Sequence, residues 1–192
     1  MFDLVLKGGT LYDGLGGEGY IADIGIENQQ ITAIGDLSTA ESHSYVDVTG
    51  LAVSPGFIDM HTHSDFTLLA NKRAESQVHQ GVTTEVVGQC GFSSAPAACD
   101  HDAQEMSFGF KKGCVEFGWR SFGEYLDRLE ARSLGVNVAA FVGHGSLYRA
   151  VMGDEKNAHP TRKCRKWPRC LIPPFRKGRW DFHPALNTGQ GN

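Results

Sequence analysis

The residues best suited to chemistry are His61 and His63, two residues apart near the end of the run Val53-Ser-Pro-Gly-Phe-Ile-Asp-Met-His-Thr-His-Ser-Asp65. The apolar stretch before them reads as a buried strand, and strand side chains two apart share a face. Both imidazoles would leave the strand's C-terminal end side by side, a geometry for gripping one divalent metal ion. The same pattern also occurs as a solvent-facing pair, or with one ring hydrogen-bonded in a core. Asp65 is either an outer partner that orients a ring or a carboxylate that caps the loop. Cys90, between Gly88 and Gly91, falls at a second strand end. As a thiolate it is a strong zinc ligand; as a buried thiol it is inert. His144, between Gly143 and Gly145, ends a third strand, where it either binds substrate or polarises a carbonyl, or simply bonds to loop backbone. His79 lies in a helix-like run and reads as structural. Cys99, Cys114, Cys164 and Cys170 lack such surroundings.

The elements that must place these groups follow from the pattern around them. Strands are expected at Gly56–Met60, Thr83–Val87 and Val136–Val142, with a helix over Leu68–Gln80 between the first two. Ser121 and Glu124 have capping-box spacing and open an amphipathic helix through Tyr125–Glu130, stopped by Gly135. Residues 103–118 fit neither period. Strand and helix in alternation imply parallel βαβ units, whose chemistry gathers where strands end. Residues 2–54 read instead as short strands. These are Phe2–Lys7, closed by Gly8-Gly9, then Thr10–Tyr12, a hairpin of Ala22–Glu27 and Gln30–Ile34 about Asn28-Gln29, Tyr45–Val48 and Leu51–Val53. They are too few and short to close a sandwich by themselves.

At 192 residues the chain can bury a sizeable core. No apolar run approaches the roughly 18–20 residues that span a bilayer, and no secretory signal is visible, so no membrane partner is expected. Five cysteines, an odd number without regular spacing, argue against a disulfide framework. A cytoplasmic, reducing setting is expected. The formal net charge of −4 is uneven. Arg162, Lys163, Arg165, Lys166, Arg169, Arg176, Lys177 and Arg179 face a single acid, Asp181, so residues 162–192 carry about +7 and the rest about −11.

The stretches FDLVLKGGTLYDG, DIGIENQQITAIGDL, VSPGFIDMHTHSD, GVTTEVVGQCGFSSAP and FVGHGSLYRAVMG together resemble the N-terminal part of the N-acyl-D-amino-acid deacylases (D-aminoacylases), a branch of the amidohydrolase superfamily. The resemblance covers about residues 2–161. His-x-His is shared by many amidohydrolases; the Gly-x-Cys-Gly loop is particular to this branch. The resemblance implies an α/β fold, a (β/α)8 metal-dependent hydrolase barrel preceded by a small β-sandwich. Residues 1–54 would be sandwich strands, 55–161 the first βα units, and the barrel would be incomplete in this chain. It further implies that His61 and His63 form one metal subsite, the weaker one, and that Cys90 ligates the tightly held Zn2+. The remaining metal histidines and the general-base aspartate are expected beyond this chain. The implied reaction is zinc-dependent hydrolysis of an N-acyl-D-amino acid, a small-molecule substrate, to a carboxylate and a D-amino acid.

From about Arg162 the resemblance stops. Reading each codon one nucleotide earlier lets Gly178–Gly191 yield ALGFSPGLEYGPG, close to a segment of these deacylases. Residues 162–192 are therefore expected to be a frameshifted, non-native tail, and the basic cluster needs no nucleic-acid partner. A chain with only three barrel strands is expected to fold poorly and to lack turnover. Two other readings remain open. One is an amidohydrolase acting on cyclic amides, of the dihydroorotase or hydantoinase kind, which relies on a carboxylated lysine and not a cysteine. The other is a non-catalytic metal-binding remnant.

Overall fold

The computed structural model describes residues 1–105 and 115–152. The expected tail at 162–192, together with Cys114, Cys164 and Cys170, lies outside the described residues. The chain divides into two compact units, Met1–Gly56 and the residues from Phe57 onward.

The first unit is a sheet of five strands: β1 (Leu4–Leu11), β2 (Tyr20–Glu27), β3 (Gln30–Gly35), β4 (Tyr45–Asp47) and β5 (Ala52–Val53). Its order is β3-β2-β1-β4, with β5 also pairing β1. β1 is antiparallel to β2 and parallel to both β4 and β5. The β2–β3 hairpin turns at Asn28 and Gln29, both left-handed at φ 51° and 63°. That is the turn that matches strand twist in a two-residue loop. Gly8-Gly9 does not close a strand as expected. β1 runs through them with a register shift between Leu6 and Gly9. Gly8 takes φ 72°, and its N–H donates to Asp23 Oδ1 at 2.9 Å, so a side chain on the neighbouring strand satisfies the bulged backbone.

The second unit holds three parallel strands in the order β6-β7-β8: β6 (Phe57–Asp59), β7 (Val82–Val87) and β8 (Asn137–Ala140). Between β6 and β7 the expected single helix is two separate turns, α1 (Thr67–Ala70) and α2 (Glu75–Val78). Ala74 enters the left-handed region at φ 46° and breaks the path. α3 (Asp100–Glu105) opens the stretch that fitted neither period. α4 (Phe122–Glu130) carries the expected capping box: the Glu124 N–H donates to Ser121 Oγ, and the Ser121 N–H donates to the Glu124 carboxylate. Phe122, Tyr125 and Leu129 lie on its buried face, packed with Trp119, Leu68 and Val87. Gly135 does not stop this helix, which ends at Glu130. It sits where a Cβ would lie 2.5 Å from the Arg73 carbonyl oxygen, so only glycine fits there. α5 (His144–Met152) follows β8. His144 is thus the first residue of a helix and not part of an extended loop. No helix among the described residues is long and apolar enough to cross a membrane.

Candidate metal centre

β6 ends two residues before His61. The cause is local: the His61 N–H donates to Asp59 Oδ1 at 3.1 Å, a side-chain bond that replaces a ladder partner. The next peptide returns to the sheet, where the Thr62 N–H reaches Val86 O at 3.3 Å. The two imidazoles still share a face, with centroids 5.6 Å apart and planes at 65°.

Cys90 lies past the end of β7 in a loop of unusual backbone. Gly88, Cys90 and Gly91 have φ of 82°, 55° and 79°. For a cysteine the left-handed region costs about 1–2 kcal/mol, so surrounding contacts must hold it there. A Cβ on Gly88 would collide with the Phe141 carbonyl oxygen, which makes glycine obligatory at that step. This path delivers Cys90 Sγ to 3.1 Å from His61 Nε2. His61, His63 and Cys90 each offer one ligand atom, all within 4.8 Å of one another, and all three side chains are exposed.

The other singled-out residues are placed differently. His144 is exposed at the start of α5 and is not in the three-residue cluster. Its helix is nevertheless tied to the Cys90 loop: Gly91 O accepts the N–H groups of Gly145 at 2.8 Å and Ser146 at 3.4 Å. A carbonyl from the cysteine loop therefore caps the helix. Ser146 Oγ accepts the Ser93 N–H at 2.8 Å and donates to Ser93 O at 2.9 Å, a buried reciprocal pair. Asp65 is buried, and its Oδ2 has no hydrogen-bond partner. Burial pushes its carboxyl up from 3.8 to about 6, opposed by the N–H groups of Asp65, Gly88 and Ser94 and by nearby His63. Tyr125 donates to Asp65 O at 2.9 Å, so the core helix α4 braces the turn after His63.

Two participants escaped sequence reasoning. Glu85, in β7 opposite Asp59, is fully buried and accepts the Ser64 hydroxyl. Burial raises its carboxyl, the Ser64 hydroxyl opposing and Asp59 adding to the rise. A carboxylate directly before Val86-Val87 in the strand Val82–Val87 was the available signal. Gln89, beside Cys90, donates through Nε2 to Met60 O at 2.9 Å. It carries no sequence signature.

The amidohydrolase family matches residues 44–169. D-aminoacylase of Alcaligenes xylosoxydans xylosoxydans is 46% identical over 157 residues, which are 82% of this chain and 32% of that protein. A crystal structure of D-aminoacylase, described as defining a novel subset of amidohydrolases, superposes with TM-score 0.78 at 39% identity, over 86% of this chain and 34% of that one. The N-acyl-D-glutamate deacylase of Bordetella bronchiseptica, complexed with zinc and a phosphonate inhibitor, gives TM-score 0.75 at 32% identity, over 88% and 35%. The chain spans about a third of the length of the relatives it matches.

Proposed function

Because the chain belongs to the amidohydrolase family, we propose that it contributes the first part of the metal centre of a zinc-dependent N-acyl-D-amino-acid deacylase, with His61, His63 and Cys90 as ligands. The observation that carries this reading is the meeting of Cys90 Sγ with His61 Nε2 at 3.1 Å. Two imidazoles and a thiolate form the mixed nitrogen and sulfur donor set that suits zinc. Donors on one tetrahedral zinc lie about 3.5 Å apart by the usual bond lengths, so a spread within 4.8 Å needs only small side-chain rotations. Three ligands from this chain leave room for further ligands and for substrate.

When bound, zinc lowers the pKa of a coordinated water and polarises the scissile carbonyl. The chain's own residues supply the frame. His61 and His63 would offer ring nitrogens and Cys90 its sulfur to the ion, and Asp59 holds the His61 backbone in its turn. His144, on the helix capped by Gly91 O, is the proposed substrate-binding residue. The general-base aspartate is expected on a later strand of the complete barrel, as are the remaining histidines.

The D-amino-acid substrate class is supported by the two deacylases above. A chimera in which residues 1–161 replace the matched segment of D-aminoacylase tests it. Zinc-dependent release of D-methionine from N-acetyl-D-methionine, lost in Cys90→Ala, is the expected result. Hydrolysis of cyclic amides in its place would favour the dihydroorotase or hydantoinase reading.

A further inference from the structure

We propose that Gln89 is a positioning residue of this centre: without binding an ion, it pins the Cys90 loop to the segment that carries His61 and His63. The inference rests on the metal-site reading above and names what holds that site in shape.

The need for such a device follows from the backbone. β7 ends at Val87, three residues before Cys90, so no sheet ladder fixes the thiol. Left-handed Cys90 between left-handed Gly88 and Gly91 is a path with many alternatives in a free loop. His61 and Cys90 are 29 residues apart, yet their ligand atoms meet at 3.1 Å. Metal ligands tolerate only about 0.5 Å of misplacement, so something must tie the two segments together.

Gln89 supplies the tie. Its Nε2 donates to Met60 O at 2.9 Å and to Val86 O at 3.3 Å. Both partners are carbonyls, so only the amide's NH2 end can face them, and the chemistry fixes its orientation. The residue before Cys90 is thereby bonded to the residue before His61. The bond therefore joins the start of the cysteine loop to the end of the segment that leads into the histidine pair.

Cobalt(II) binding to the full chain tests this, because a cobalt–thiolate bond has its own near-ultraviolet charge-transfer absorption. The parent chain should show that band. Gln89→Glu is nearly isosteric but sets an acceptor against two carbonyls. It should weaken cobalt affinity about 10–100-fold and diminish the band, as loss of an outer partner does. Gln89→Ala, which removes the donor without adding charge, should move in the same direction. Asn137→Ala is the control. It deletes a comparable bond, Asn137 Nδ2 to Thr83 O at 3.2 Å, made where β7 and β8 begin. Affinity in that variant should match the parent, which general loosening of the fold would not allow. Parent-like affinity and band in both Gln89 variants would overturn the inference while leaving the metal site standing. So would equal weakening in Asn137→Ala. A parent chain with no thiolate band would overturn the metal-site reading itself, and the inference with it.

Discussion

His61 Nε2 stands 3.1 Å from Cys90 Sγ although 29 residues separate them. Few unrelated imidazole and thiol groups on a surface come so close, and here a third donor, His63, completes the cluster. Cys90→Ala should therefore lower zinc affinity by more than the ~10–100-fold that loss of an outer partner costs. Cys99 is also exposed but lies outside the cluster, so Cys99→Ala should bind zinc as the parent does. Chelator competition measures both.

Gly88 has no substitute at its position. An alanine there would take a left-handed backbone and drive its methyl into the Phe141 carbonyl oxygen. Strain and overpacking together should remove about 2–5 kcal/mol of stability, read from denaturant unfolding. Unchanged stability would mean that the loop has another path.

The capping box of α4 gives a local prediction and a pH dependence. Ser121→Ala should cost about 1 kcal/mol. The N–H groups of Arg120 and Ser121 hold the Glu124 carboxyl below its ordinary 4.5. Near that pH the unfolded chain binds more protons at this residue than the folded one. The contribution is present at neutral pH and disappears as pH falls through the lowered value. Glu124→Gln should flatten that part of the stability–pH curve, by a small amount because the residue is exposed.

Ser146 and Ser93 exchange two buried hydrogen bonds between the cysteine loop and α5. Ser146→Ala strands the Ser93 N–H and should cost about 1–3 kcal/mol in a melt. Ser146→Thr, which keeps the hydroxyl, should recover part of that loss.

The candidate ligands were legible in the sequence, whereas their meeting in space was not. His-x-His and a glycine-flanked cysteine announce themselves by residue type where apolar runs end, and the capping box by a three-residue spacing. The joints that bring them together have no local pattern. Gln89 reaches Met60 and Ser93 reaches Ser146 across 29 and 53 residues. Local composition also misled at three points. Gly8-Gly9 looks like a terminator, but a bulge with a cross-strand carboxylate lets β1 continue. Ala74, a strong helix former, takes a left-handed turn that divides α1 from α2. His144 between two glycines looks like loop, yet Gly91 O caps the N–H groups that follow it and starts a helix.

The central claim is that His61, His63 and Cys90 hold one metal centre. Zinc-edge X-ray absorption on the full chain loaded with zinc tests it most directly. The account predicts a sulfur neighbour at about 2.3 Å beside nitrogen or oxygen at about 2.0–2.1 Å, with the sulfur lost in Cys90→Ala. A parent spectrum with only nitrogen and oxygen around the zinc would contradict it.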